Sequence, residues 1–141
     1  MKDSAISYIV DAGPLIATLD GSDQWHRWAL PALESLGDAL YTTEAVLSEV
    51  CHRFHKHRAA VFALMDSIQS RQLRIHPVYP DAAVRIDALM RKYERMDFAD
   101  ATLVALSEQY PRAKLITIDR TDFTIYRRHD GKPVPTIMPN L

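Results

Sequence analysis

Four acidic residues stand where a carboxylate is hard to explain as surface decoration. Asp11 closes the apolar run Tyr8-Ile9-Val10, and Glu49 lies in the helix-like stretch 43–57. Asp100 falls in Phe98-Ala-Asp-Ala-Thr-Leu-Val-Ala-Leu, and Asp119 follows Leu115-Ile-Thr-Ile. Asp11 and Asp119 therefore cap runs expected to be buried strands. In open α/β sheets the crevice at the carboxyl ends of the strands is where ligands bind, so acids delivered there from distant parts of the chain are expected to meet. Carboxylates that meet must be neutralised by protonation, by Lys or Arg partners, or by a hard divalent cation with oxygen ligands. The last of these is the chemistry of a Mg²⁺ or Mn²⁺ enzyme.

The elements that must position these acids can be read from periodicity and punctuation. Tyr8-Ile9-Val10 reads as a short buried strand; Gly13-Pro14 punctuates it and Leu15 to Leu19 resumes as helix, with Pro14 suited to the first helical turn. Trp25, Trp28, Ala29, Ala32, Leu33 and Leu36 recur at three-and-four spacing, which predicts an amphipathic helix over 23–36, bent or split at Pro31. A second strand is expected at Ala39-Leu40-Tyr41, with Thr42 or Thr43 capping a helix that carries Val46, Leu47, Val50 and Phe54. Helices follow at about 59–70, 81–93 and 98–109, with an alternating strand at 73–78 between the first two. Lys114 to Ile118 is the clearest strand, and Thr136-Ile137-Met138 adds an edge strand, since Pro133, Pro135 and Pro139 exclude a central one. Strands alternating with helices predict an α/β fold, a three-layer α/β/α sandwich with a mostly parallel central sheet, formed as one domain over 1–141.

Each acid has an ordinary reading beside the chemical one. Asp11 heads Asp-Ala-Gly-Pro, which is good turn chemistry, although its place directly after a buried strand favours a site. Asp119 heads Asp-Arg-Thr-Asp-Phe, where a helix cap or a pair with Arg120 is the alternative; on its strand Thr117 shares its face and can offer a hydroxyl to a ligand carboxylate. Asp97 and Asp100 have the spacing of an N-cap and a third helical residue, so capping alone accounts for both. We assign the cap to Asp97 and the ligand role to Asp100. Glu49 borders the stripe Val46, Val50, Phe54, with Arg53 one turn on as an ion-pair partner; taken alone, that ordinary reading wins.

Composition removes several classes. A hydrophobic share of 48% and a charged share of 25% are those of an ordinary globular protein, and 141 residues suffice for a sizeable core. No apolar stretch approaches the roughly 20 residues that span a bilayer, and Met-Lys-Asp-Ser-Ala-Ile-Ser lacks a secretory core, so a cytoplasmic protein with no membrane partner is expected. One cysteine, Cys51, excludes an internal disulfide and a cysteine-based zinc site. His52, His55 and His57 are completed by no acid or cysteine at zinc-site spacing. Net charge of −1 argues against a strongly basic nucleic-acid clamp, although Arg53, His55, Lys56, His57 and Arg58 form one basic run and Arg91, Lys92 and Arg95 another.

The ordered set Ile9-Val-Asp-Ala-Gly-Pro-Leu-Ile-Ala, Thr43-Glu-Ala-Val-Leu-Ser-Glu-Val, Asp97-Phe-Ala-Asp-Ala-Thr-Leu-Val-Ala-Leu and Ile116-Thr-Ile-Asp-Arg-Thr-Asp-Phe resembles the PIN-domain family, in particular the small VapC-type toxin ribonucleases of bacterial toxin–antitoxin pairs. The resemblance covers nearly the whole chain. It implies a parallel-sheet α/β/α fold, Mg²⁺- or Mn²⁺-dependent endoribonuclease activity on RNA, a homodimer and a cognate antitoxin partner. By motif match it makes Asp11, Glu49, Asp100 and Asp119 the catalytic, metal-binding cluster, with Thr117 and Asp97 supporting. Arg120 and Arg53 are expected as RNA-backbone contacts. The family also holds RNA-processing nucleases that are not toxins.

Other acidic-pocket α/β classes fail at named positions. A receiver-like phosphoacceptor domain wants adjacent acids after its first strand and a lysine ending a late one, whereas Ala12-Gly13-Pro14 follows Asp11 and Lys114 begins its strand. A haloacid-type phosphatase wants an Asp at the position held by Gly13, and four scattered glycines make no phosphate-binding loop. The non-enzymatic alternative is an interaction module whose acids only cap and pair.

Overall fold

The structure, a computed structural model, describes residues 6–140; the opening residues read above for a secretory core, and the last residue of the domain, lie outside the described part. Five strands, β1 (Tyr8–Val10), β2 (Leu40–Thr42), β3 (Leu73–Ile75), β4 (Lys114–Ile116) and β5 (Thr136–Ile137), form one sheet in the order β3-β2-β1-β4-β5. Every pairing is parallel. Parallel neighbours cannot be joined by a hairpin, so the connections carry helices: α1 (Ala12–Leu19), α2 (His26–Glu34), α3 (Glu44–Arg53), α4 (Arg58–Gln69), α5 (Ala83–Lys92) and α6 (Phe98–Gln109). This is the expected three-layer α/β/α sandwich.

The strand order explains where a site can form. The chain steps outward from β1 to β2 to β3, then returns through α5 and α6 to lay β4 on the other side of β1. Right-handed crossovers running in opposite directions put their helices on opposite faces of the sheet. The loops after β1 and β4 therefore diverge and leave a crevice at the carboxyl ends of two adjacent strands. Val10 pairs with Ile116 there, and the Asp11 amide donates to the Ile116 carbonyl at 3.0 Å, so the residues following β1 and β4 are held side by side.

Burial on both faces makes these strands continuous apolar runs. Ile9, Val10 and Ile116 are fully buried, and β4 packs beneath α6, whose residues Ala101 to Ser107 are all buried. A helix buried all round has no polar face to show, which is why α6 reads as apolar rather than amphipathic. Buried hydroxyls are satisfied locally: Thr42 donates to the Val10 carbonyl at 2.7 Å, and Thr43, the N-cap of α3, meets Thr102 of α6 at 2.9 Å.

Some boundaries differ from expectation. The first helix begins at Ala12, capped by Asp11, so Pro14 lies in its first turn as expected and Gly13 lies there too. Gly13 is not a turn glycine: a Cβ there would come within 2.7 Å of the Ile118 side chain, so it serves close packing. The helix around Trp28 runs through Pro31 unbroken over His26–Glu34. The third strand stops at Ile75, with Pro77 unable to donate to a ladder, and β4 is assigned only to Ile116, although the Thr117 amide still reaches the Ile137 carbonyl at 3.1 Å.

Candidate functional site

Four carboxylates and two hydroxyls converge on the crevice between β1, β4 and the start of α6. Asp11 is the N-cap of α1, and its Oδ1 accepts from the Ala12 amide at 2.7 Å. Its Oδ2 accepts from the Thr117 hydroxyl at 2.8 Å, across 106 residues of chain. Thr117 Oγ1 in turn accepts from the Asp119 amide at 3.1 Å. The hydroxyl expected beside Asp119 thus orients Asp11 and fixes the backbone of Asp119 at once.

Asp119 Oδ1 accepts from the Asp122 amide at 2.9 Å, which closes the turn after β4. No helix follows Asp119 among the described residues, so the helix-cap alternative is not realised and one oxygen closes a turn instead. Asp97 is the N-cap of α6 and accepts from the Asp100 amide at 2.8 Å, the capping role expected of it. Asp100, in the first turn, has its own carboxylate held by the Tyr126 hydroxyl, which donates to Oδ2 at 2.8 Å. Nothing in the local sequence marks Tyr126: it lies in an irregular segment and reaches Asp100 only through the fold. Asp122 is a second residue sequence reasoning passed over. Arg95 Nε stands 3.1 Å from its Oδ1 as an ion-pair partner, and burial and then Asp119 beside it raise its carboxyl against that pairing.

The electrostatics show that these groups share one field. Burial pushes the Asp100 carboxyl up to about 7, with Asp97, Asp11 and Asp119 adding to the shift against the Tyr126 hydrogen bond. Asp11 is raised mainly by burial, then by Asp119 and Asp97, against the Thr117 and Ala12 hydrogen bonds. Glu49 is raised by burial and then by Asp11 and Asp97, so α3 brings it to the same group, although its side chain is exposed and makes no hydrogen bond among the described residues. The expected pair with Arg53 does not form: Arg53, the last residue of α3, stands 3.5 Å from Asp20, the C-cap of α1, because the carboxyl ends of the two helices lie side by side. Among the described residues no Lys, Arg or His forms an ion pair with Asp11, Glu49, Asp97, Asp100 or Asp119.

Like charges gathered without cationic side chains leave protonation or a bound cation as the remedy. The donor set is all oxygen and suits a hard divalent ion better than zinc. As placed, no three His, Cys, Asp or Glu side chains among the described residues are drawn together closely enough to hold an ion. Two of the acids, Asp11 and Asp100, are nevertheless pre-oriented by Thr117 and Tyr126.

Apart from Arg95 beside Asp122, the basic groups singled out from the sequence are engaged elsewhere. Arg120 spends a guanidinium N–H on the Pro139 carbonyl. His52 and His55 stack at 5.4 Å near the end of α3. A cavity of about 670 Å³, lined by Leu15, Leu19, Leu33, Leu64, Leu73 and Arg71, opens where β2 and β3 begin, at the opposite end of the sheet from the acids.

A family model described as the PIN domain matches residues 8–128. No curated protein is significantly similar in sequence. Among solved structures, the chain is similar to the VapC20 toxin of Mycobacterium tuberculosis, described as cleaving the sarcin-ricin loop, with a TM-score of 0.69 and 23% identity over 77% of this chain and 87% of that one. A toxin–antitoxin complex from Klebsiella pneumoniae gives a TM-score of 0.69 and 24% identity over 95% of this chain and 98% of that one. VapBC2 from Rickettsia felis, bound to a promoter DNA fragment, gives 0.66 and 13% over 96% and 100%.

Proposed function

We propose that this chain, which belongs to the PIN-domain family, is a Mg²⁺- or Mn²⁺-dependent endoribonuclease whose single domain spans residues 1–141. The observation that carries the reading is the crevice itself: Asp11, Asp100 and Asp119 arrive from separate elements at the carboxyl ends of β1 and β4, with no basic side chain among the described residues to neutralise them. Asp11, Asp100 and Asp119 would hold the ion directly, and Glu49, without a hydrogen-bond partner, would orient water or hold a second ion. A divalent ion in such a site lowers the pKa of bound water and offsets the charge that grows on the phosphate during hydrolysis.

The chain's own contribution is positional. Thr117 and the Ala12 amide fix both oxygens of Asp11, Tyr126 fixes one oxygen of Asp100, and the turn amide of Asp122 fixes one oxygen of Asp119. Each of those carboxylates is thereby held without being neutralised. An acidic site of this kind repels RNA phosphate until a cation lies between them, so cleavage is expected to need the metal for binding as well as for chemistry. Arg120 and Arg53 remain the proposed backbone contacts, and each would first have to leave its present partner.

The toxin role, the antitoxin partner and the homodimer belong to the same proposal. The toxin role and the antitoxin partner are supported by the two toxin–antitoxin assemblies and the sarcin-ricin-loop-cleaving toxin among the structural neighbours; the homodimer rests on the family resemblance alone. No helix of the described residues is long and apolar enough to cross a membrane, in keeping with the proposed cytoplasmic location.

Cleavage of single-stranded RNA tests the reading. Activity should appear with Mg²⁺ or Mn²⁺ and vanish in EDTA. Asp11→Asn and Asp100→Asn should each lower it at least about a hundredfold while the far-ultraviolet circular dichroism stays that of the wild type. Undiminished activity in both variants or in EDTA overturns the proposal. Mn²⁺ should also raise the melting temperature, since it binds only the folded site; no shift at millimolar metal, with no cleavage, leaves the interaction module as the better reading.

A further inference from the structure

We propose that Tyr79 and Phe98 form a stacking platform for an unpaired nucleobase beside the acidic crevice, so that the site takes single-stranded RNA by a base face as well as by its phosphate. The inference rests on the nuclease reading above. Phe98 is the first residue of α6, between the cap Asp97 and the carboxylate Asp100. It is 43% exposed, whereas Ala99 and every residue from Ala101 to Ser107 on the same helix are buried. Tyr79, 54% exposed, comes from the segment that leaves the carboxyl end of β3, the same edge of the sheet that delivers Asp11 and Asp119. The two rings meet edge to face at 5.6 Å and 65°.

Three features distinguish this pair from scattered surface apolar residues, which need no explanation. The first is that it is held. Val78 beside Tyr79 is buried, the Ala82 and Ala83 amides return to the Val78 and Pro80 carbonyls at 2.9 Å, and Phe98 is fixed by the helix it begins. An edge-to-face contact stabilises one ring with the edge of the other and leaves ring surface open to a third π-system. The second is charge. Asp81, Asp97 and Asp100 are the only charged residues within two positions of either ring in the chain, so no neighbouring cation is supplied for a bare anion, whereas the face of a neutral base needs none. The third is area. Two aromatic side chains of which about half is already covered offer on the order of 200 Å², against about 800 Å² per partner in a standard protein interface. That suits one or two bases and falls short of a second copy of the chain. Unstacked bases of single-stranded RNA are the ligand that exposed aromatic faces take, and they do so whatever the base.

A short single-stranded oligoribonucleotide carrying 2-aminopurine, whose fluorescence is quenched by stacking, is titrated with Asp100→Asn protein so that the strand survives, and steady-state cleavage of the same strand is measured in the Asp100 background. Phe98→Leu and Tyr79→Leu, which keep apolar volume but remove the ring, should abolish most of the quenching and weaken binding about tenfold. In the Asp100 background they should raise KM with kcat little changed; Phe98→Trp and Tyr79→Phe should retain both signals. Cleavage by the wild type with quenching and KM unchanged in both leucine variants overturns the platform and leaves the nuclease reading intact. Ring-dependent quenching without cleavage supports the platform and overturns the nuclease reading, and absence of both overturns both. If the leucine variants instead shift the sedimenting species from dimer to monomer while quenching persists, the pair is a self-association contact and the platform is overturned.

Discussion

Asp100 carries two obligations at the scale of the residue. It sits in the first turn of α6, where its backbone amide is taken by Asp97, and its carboxylate is held by the Tyr126 hydroxyl in a crowd of like charges. Groups that orient a metal ligand are worth about ten- to a hundredfold in metal affinity. Tyr126→Phe is therefore expected to weaken Mn²⁺ binding by that factor, measured by titration calorimetry, and to move the pH at which binding develops upward, because the lost hydrogen bond favours ionised Asp100. An unchanged Mn²⁺ affinity and pH profile would show that Tyr126 only packs. The cap at Asp97 was legible in sequence because capping is a local rule with a fixed spacing of three. Tyr126 was not, because its bond spans 26 residues and no local pattern encodes it.

At the scale of the element, the junctions decide the site. The amino end of α1 must lie close against the segment after β4 for Asp11 to reach Thr117, and Gly13 is the residue that permits it. Gly13→Ala would drive a methyl into Ile118 Cγ1 at 2.7 Å, next to both Thr117 and Asp119. The expected cost is about 1–3 kcal/mol by urea denaturation, as for other overpacked sites. RNA cleavage should fall by more than the lost stability accounts for, because the displaced segment carries two site residues; wild-type activity with a lowered midpoint would show that the segment moves as a unit. Pro14 reads as a first-turn residue because its missing amide is one the helix start can spare, whereas Gly13 reads as punctuation. The structure places Gly13 inside the helix as well, because a side chain has no room there.

At the scale of the whole molecule, the cluster makes stability depend on pH with a sign that can be worked out. An unfolded Asp100 titrates near 3.8 and the folded one at about 7, so between those values the folded chain binds more protons than the unfolded one. Metal-free stability attributable to Asp100 is therefore undiminished below about 3.8 and falls as pH rises towards about 7. A divalent ion binds the ionised form, so its stabilising effect should grow through the same window and level off above it. Melting temperatures across that range in EDTA and in Mn²⁺, compared with Asp100→Asn, check both limbs. A metal effect independent of pH would remove Asp100 from the ligand set.

The sequence by itself determined the alternation of buried strands and helices, the parallel α/β/α class, the cap at Asp97, a threonine cap for α3 at Thr42 or Thr43, and the place of Asp11 and Asp119 at strand ends. These are consequences of periodicity, burial and capping, which act within a few residues. Only the tertiary structure decided that β4 lies beside β1, that Thr117 holds Asp11, that Tyr126 holds Asp100, that Arg53 turns to Asp20 rather than Glu49, and that Tyr79 meets Phe98. Those contacts join parts of the chain far apart in number. They are chosen by the direction of the crossovers and by which side chains remain facing the crevice once the sheet is buried, and no local stretch of residues contains that information.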